Sequence, residues 1–404
     1  MFAKLPVHSR ILKLCLGLAI AAQLAGCASL ERLPPVPLAQ ADNAKFLSIS
    51  EARFYPKDQD RITAIAYKAY QRRQSVKSAT APRYYLAISG GGDDGAFGAG
   101  LLTGWTARGN RPIFDIVTGV STGALSAPFA FLGPAYDSQL KQVYTESNAD
   151  DIFQKRTILA TVGNDALADN APLRRLVSRY VDDALVQKIA AEYRKGRLLF
   201  ILTTNLDQGR PVVWNIGAIA ESGHPQAREL IIDILLASSA IPAVFPPVML
   251  DVTIDGQRYQ EMHVDGGAVA QAFLYPPSFS LKVGAARLGI SPGKLLRARR
   301  RFAYVIRNGR LTRPETSVER RTLAIAKQTI ATMTTASGVN DTYRIYLITK
   351  RDGVKFNLAF VDNDFTEPYK GPFDRQYMNL LFDYGYQKGR AGYPWKTAPP
   401  GYTG

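Results

Sequence analysis

The pentad Gly119-Val120-Ser121-Thr122-Gly123 constrains this chain most. It closes the apolar run Ile113-Phe114-Asp115-Ile116-Val117-Thr118 and opens the small helix-forming stretch Ala124-Leu125-Ser126-Ala127. A strand turning at once into a helix holds its middle residue in a strained backbone conformation, and side chains on the flanking positions would clash. The pattern predicts a serine at a sharp elbow, with Gly119 and Gly123 making room for it. The following helix aims unpaired N–H groups and its positive dipole end at the serine oxygen, which favours an alkoxide or oxyanion there. With 33 glycines in the chain, the pentad alone fits an ordinary strand–turn–helix equally well. Two other stretches decide between the readings.

The first is upstream. Tyr84-Tyr85-Leu86-Ala87-Ile88 is a β-prone run entering Ser89-Gly90-Gly91-Gly92-Asp93-Asp94-Gly95, followed by the helical stretch Ala96 to Leu102. A glycine loop between strand and helix offers several backbone N–H groups to an anion. Gly90, Gly92 and Gly95 also satisfy the dinucleotide pattern, with Asp115 where a ribose-binding acid belongs. Asp93 and Asp94 argue against that, because they would repel a pyrophosphate, and Asp115 feeds the serine elbow. The second stretch is Met262-His263-Val264-Asp265-Gly266-Gly267, a carboxylate at a strand end with free space around it.

A serine nucleophile needs a base. Of three histidines, His8 lies in the N-terminal leader and His224 in a turn, so His263 is the candidate for a Ser-His-Asp triad. Asp265 can also act directly if it lies within reach of the hydroxyl with a suitable pKa.

Three stretches in order, Ser89 to Gly92, Gly119 to Gly123 and Asp265 to Gly267, resemble the patatin-like phospholipases. Thr203-Thr204-Asn205-Leu206-Asp207, Ala237 to Pro242 and Phe245-Pro246-Pro247 are similar to that family's connecting segments. The resemblance covers Tyr84 to Gly267. It implies an α/β fold, a three-layer α/β/α sandwich with a mostly parallel central sheet. It also implies a Ser121–Asp265 dyad without histidine, and an oxyanion hole from backbone N–H groups of Gly90, Gly91, Gly92 and Asp93. Gly95, Gly119, Gly123, Gly266 and Gly267 support these motifs. The implied activity is hydrolysis of fatty acyl esters of phospholipids or similar lipids through an acyl-enzyme, with no metal or cofactor. An acyltransferase on the same dyad and a catalytically weak envelope binding or assembly protein are the alternatives. One departure stands out: the family usually has Arg or Lys where this chain has Asp94. A carboxylate there opposes an oxyanion unless it points away or pairs with a cation.

Ahead of this core, Lys4, Arg10 and Lys13 make a positive region, followed by an apolar stretch to Leu24 that is short for a membrane span. It ends in Leu24-Ala25-Gly26-Cys27, which resembles the lipobox of bacterial lipoproteins; an ordinary signal peptide is the alternative. The resemblance implies lipid chains on Cys27 and an exported protein anchored to the cell envelope. Ala28 resembles outer-membrane sorting. The expected organisation is a signal peptide over 1–26, a tether and helix over 27–80, a catalytic domain over 81–392 and a tail over 393–404.

The formal charge of +16 suits anionic partners, and without zinc-finger spacing or a basic–aromatic repeat it points away from nucleic acid. Arg297, Arg299, Arg300 and Arg301 form the densest basic cluster, read as a solvated helix end or a contact for anionic lipid headgroups. Helical spacing predicts helices over 60–74, 137–146, 172–194, 228–238, 316–336 and 375–390. Strands are expected over 198–204, 211–214, 302–306, 343–349 and 356–361. The proline-stiffened loop Ile241 to Pro247 is a candidate lining for an acyl pocket.

Overall fold

In the computed structural model, the structure describes residues 30–76, 81–155, 165–280, 300–312 and 317–402, with the isolated residues 283, 284, 286 and 289. The leader, Cys27, Arg297 and Arg299 lie outside them. Nine strands form one mixed sheet: β1 (Arg53–Phe54), β2 (Arg83–Ile88), β3 (Ile116–Val120), β4 (Leu198–Asn205), β5 (Arg210–Asn215), β6 (Val248–Ile254), β7 (Gln257–Asp265), β8 (Arg301–Arg307) and β9 (Lys355–Phe360). The order is β1-β5-β4-β3-β2-β8-β9, and the five strands from β4 to β9 along it are parallel. Every residue of β4 is buried, the signature of a strand covered on both faces.

Side-chain alternation sorts the two faces. Leu86, Ile88, Val117, Leu199 and Ile201 point into one core with α2 (Gly95–Ala107), α3 (Thr122–Leu132), α5 (Ala171–Tyr180), α6 (Asp183–Arg194), α7 (Ala227–Ser238) and α9 (Arg375–Ala391). Helix α4 (Asp137–Thr145) packs on α2 in the same layer. Leu198, Phe200, Tyr85, Ala303 and Val305 point the other way, under α1 (Gln59–Gln74) and α8 (Thr322–Arg351). The result is the expected three layers. Helices α2 and α9 cross with their backbones in contact. A Cβ on Gly100 or Gly104 would strike the carbonyls of Phe382 or Tyr386, and one on Gly385 or Gly389 those of Phe97 or Leu101.

Several expectations change, and the helix expected over 316–336 begins at Thr322. The stretch 343–349 is not a strand but the last third of α8, because Asp341, Thr342, Ile345, Ile348 and Thr349 are buried at helical spacing and that periodicity outweighs β-branched propensity. The helix expected over 172–194 is two, restarted by Asp182, whose side chain caps Leu185 N–H at 2.7 Å. The proline-rich segment after residue 30 is docked rather than a free tether. Arg32 grips Asp207 bidentately at 2.8 Å, Gln260 N–H bonds Pro34 O, and Val36 is buried. The C-terminal tail is docked too: Lys396 exchanges backbone hydrogen bonds with Leu358, and Trp395 packs on Trp105 and Tyr304.

Candidate active site

Strand β4 brings the two key residues together. Its edge pairs with β3 up to Val120, opposite Leu202. There β3 turns away into α3, and β7 takes over the same edge from the opposite direction, with Asp265 opposite Thr203. Ser121, the residue after Val120, therefore arrives beside Asp265. This is the elbow the glycines predicted. Ser121 sits at φ 55°, ψ −128°, a conformation L-residues avoid. A Cβ on Gly119 would meet the Gly123 carbonyl, and one on Gly123 the Ile88 carbonyl, so neither position admits a side chain.

The strained turn is pinned from α7. Ser238 Oγ accepts Ser121 N–H at 3.0 Å and donates to Leu202 O at 2.7 Å, tying the elbow to β4. Ser239 Oγ donates to Ser121 O at 3.4 Å. Sequence reasoning placed these serines in a connecting segment without giving them a task.

Asp265 is buried. Burial pushes its carboxyl up to about 7, against the Ser121 hydroxyl and the Gly267 N–H, which favour the ionised form. Gly267 N–H donates to Oδ1 at 2.6 Å. A carboxylate so placed is half ionised near neutral pH and can take a proton from an adjacent hydroxyl.

His263 is committed elsewhere. Its Nδ1 pairs with Thr203 Oγ1 at 2.9 Å and its Nε2 with Glu261 at 3.0 Å, and burial pushes its pKa down. Arg53 grips the same Glu261 bidentately at 2.5 and 2.9 Å. Both ring nitrogens are thus used, and the triad reading fails on geometry.

The glycine loop leaves β2 on the same end of the sheet. Gly90 lies against the elbow; a Cβ there would stand 3.1 Å from Ser121 Cβ. Its N–H, however, donates to Gln271 O at 2.9 Å and is already spent. The Asp93 N–H faces its own carboxylate. Gly91 and Gly92 stand at the head of the short turn Gly92–Asp94.

Asp94 is engaged by the C-terminal segment. Its Oδ1 accepts the Tyr377 hydroxyl at 2.9 Å, and Asp93 Oδ2 accepts Phe373 N–H at 3.0 Å, so both acids anchor the loop to the C-terminal segment. Burial, and then the charge of Asp94, raise Asp93 to about 6. A cation reaches the loop from β8 instead. Arg307, buried, donates to Gly90 O at 2.9 Å and Ser89 Oγ at 3.1 Å. A Cβ on Gly309 would lie 3.4 Å from Asp94 Oδ2 and 3.8 Å from the Arg307 guanidinium carbon, so the two charges flank one glycine. Asn308 clamps both ends of the loop, bonding Ser89 O at 2.9 Å and Gly98 N–H at 3.2 Å. The only sequence trace of this pair is Arg307-Asn308-Gly309 at the end of an apolar β-run.

The dinucleotide reading fails as well. Asp115 lies at the opposite end of β3 from the glycine loop, accepting Tyr84 N–H at 2.9 Å and pairing with Arg73 and Arg83. Arg301 is buried on β8 rather than displayed with Arg300, so it does not belong to a surface patch facing a membrane.

Beside the elbow, α3 and α5 enclose an apolar cavity of about 50 Å³ running from Thr122 past Leu125 and Phe129 to Tyr180, with Phe373 and Met378 on its other side. The loop Ile241 to Pro247 does not line it. Phe245 is instead buried against Phe153.

Three comparisons bear on this site. A family model described as patatin-like phospholipase matches residues 86–275. Among curated proteins, none matches the chain. Among solved structures, the chain is similar to VipD from Legionella pneumophila, with 12% identity over 77% of this chain and 67% of that one and a TM-score of 0.38.

Proposed function

We propose, on the premise that residues 86–275 are a patatin-like phospholipase domain, that this protein is a serine acyl hydrolase working through Ser121 and Asp265. The family makes it a lipid acyl hydrolase in the broad sense; the dyad and the acyl-enzyme are our reading. The observation that carries it is a serine held at positive φ against a buried carboxyl raised to about 7.

Asp265 takes the Ser121 hydroxyl proton as Oγ attacks the ester carbonyl carbon. The carbonyl oxygen becomes an oxyanion facing the N–H groups of Gly91 and Gly92. Each such donor contributes about 3–4 kcal/mol of transition-state stabilisation. Collapse breaks the ester C–O bond, and protonated Asp265 returns its proton to the leaving alcohol. Water then attacks the acyl-enzyme with Asp265 again as base, releasing a fatty acid and restoring Ser121. The cavity past Leu125 and Phe129 gives the acyl chain an apolar path beside the elbow. Export and a lipid anchor on Cys27 fit this substrate and rest on the leader sequence alone.

The test is fluorophosphonate labelling of the full chain beside Ser121→Ala and Asp265→Asn. Labelling should vanish in the first and slow by about 10²–10⁴-fold in the second. A folded parent that resists the probe would overturn the reading.

A further inference from the structure

A larger cavity, of about 170 Å³, lies on the other face of the sheet. Helix α1 roofs it with Ile65 and Ala66, β3 and β4 floor it with Ile116 and Phe200, and Phe273 and Phe279 close its side. An apolar cavity of about 150 Å³ already accommodates a benzene-sized molecule, so this one has room for a run of chain carbons.

Its polar end is unusual for a core. Arg83 on β2 and Arg301 on β8 both line it, and they are direct partners in the parallel register of the two strands. Like charges placed directly opposite weaken a sheet. Asp115 lines the same end, 3.3 Å from Arg83 and 2.5 Å from Arg73 of α1. Two guanidiniums thus pair with this carboxylate, and Arg301 lines the cavity beside Arg83. Arg73 and Arg301 are 4% and 5% exposed, so these charges are held inside the protein rather than in water. A planar guanidinium pair beside an apolar cavity matches a carboxylate or phosphate carried on a hydrocarbon chain.

This end of the sheet is not the reaction centre. Arg83, Asp115 and Arg301 sit at the amino ends of β2, β3 and β8, whereas Ser121 follows the carboxyl end of β3. The full length of β3 separates them.

We propose that this cavity is a second lipid site, binding one single-chain anionic amphiphile. Its chain lies among Ile65, Phe200 and Phe279, and its head group rests between Arg83 and Arg301. The site holds its ligand without cutting it and does not depend on the hydrolase reading. A fatty acid and a single-chain phosphate share the chemistry required.

The experiment is calorimetric titration of the full-length Ser121→Ala protein, which separates this site from turnover. The probes are decanoate, decyl phosphate, decanol and decyltrimethylammonium, all below their micelle thresholds. Decanoate or decyl phosphate should bind one to one, about tenfold or more tighter than decanol, and the cationic probe should not bind. The tighter of the two anions identifies the natural head group. Ala66→Trp, which fills the cavity, should abolish binding, and Arg301→Gln should bring decanoate to the affinity of decanol. If Ala66→Trp does not fold, the probe series on the parent still decides. Absent anion binding, equal binding of decanol, or decanoate binding unchanged in a folded Ala66→Trp protein would each overturn the proposal.

Discussion

Strand β7 carries two buried carboxylates four residues apart, and their fates are opposite. Burial alone would raise Glu261, but the hydrogen bond from His263 and the Arg53 guanidinium outweigh it and hold the carboxyl at about 2. Asp265 feels the same burial with only a hydroxyl and an N–H to answer it, and it stands at about 7. The cation makes the difference. Glu261 is permanently charged and ties β7 to β1 through Arg53, whose guanidinium also lies 4.6 Å from the Phe46 ring. Asp265 is free to gain and lose a proton at neutral pH, which a structural ion pair never does. One strand therefore holds a charged brace and a proton-exchanging acid, set apart by what stands beside each.

Breaking the brace has the largest expected effect. Arg53→Met strands a charged Glu261 in the core and should cost about 3–5 kcal/mol in urea unfolding. Fluorophosphonate labelling per folded molecule should stay within about twofold, since Asp265 has its own surroundings. A loss below about 1 kcal/mol, or labelling that falls with stability, would show the two carboxylates to be coupled.

The pH dependence sharpens the same contrast, because the two shifts have opposite sign. The folded pKa of Asp265 lies above its unfolded value, so the folded state binds more protons and stability falls as pH rises from about 4 to 7. The folded pKa of Glu261 lies below its unfolded value, so its contribution is present above about 4.5 and lost as pH falls toward 2. Asp265→Asn should therefore be more stable than the parent at about pH 8 by on the order of 4 kcal/mol, with the advantage gone by about pH 4. In the parent, labelling should rise with pH through about 7 as Asp265 ionises. A flat labelling profile across neutrality would remove Asp265 as the base.

The smallest effect belongs to Asp94. Its carboxylate faces Tyr377 rather than the elbow, so Asp94→Asn, which keeps an acceptor for that hydroxyl, should change labelling by no more than about threefold. A loss of a hundredfold would mean that the negative charge itself acts in the reaction.

Much of this geometry was legible because it is local or sterically exclusive. Gly119 and Gly123 are glycines because backbone carbonyls occupy the space where their Cβ atoms would stand, and that signature survives in sequence without an alignment. The strand ending at Asp265 announced itself in the same way. What could not be read depended on which strands become neighbours. Arg307 and Asn308 touch the glycine loop only because β8 lies beside β2, more than two hundred residues away in the chain. Asp94 looked like a liability in the linear sequence because Tyr377, Phe373 and Arg307 were not yet beside the loop. Arg301 read as one of a basic run, although a strand's alternation turns it inward while Arg300 stays outside. The segment 343–349 misled for a different reason: its tyrosines, isoleucines and Thr349 favour strands, and only the core it meets shows that its period is helical.

The backbone-to-backbone crossing of α2 and α9 joins a helix near the start of the patatin-like segment to one far downstream of it. A chain halted at residue 275 already holds Ser121 and Asp265, yet β2 is then a bare edge and the helix behind the glycine loop has nothing to lock against. Translation proceeds from the N-terminus, so β8, β9 and α9 are made after Ser121 and Asp265. Ser121 and Asp265 are thus in the chain before β8 and α9 can brace the glycine loop.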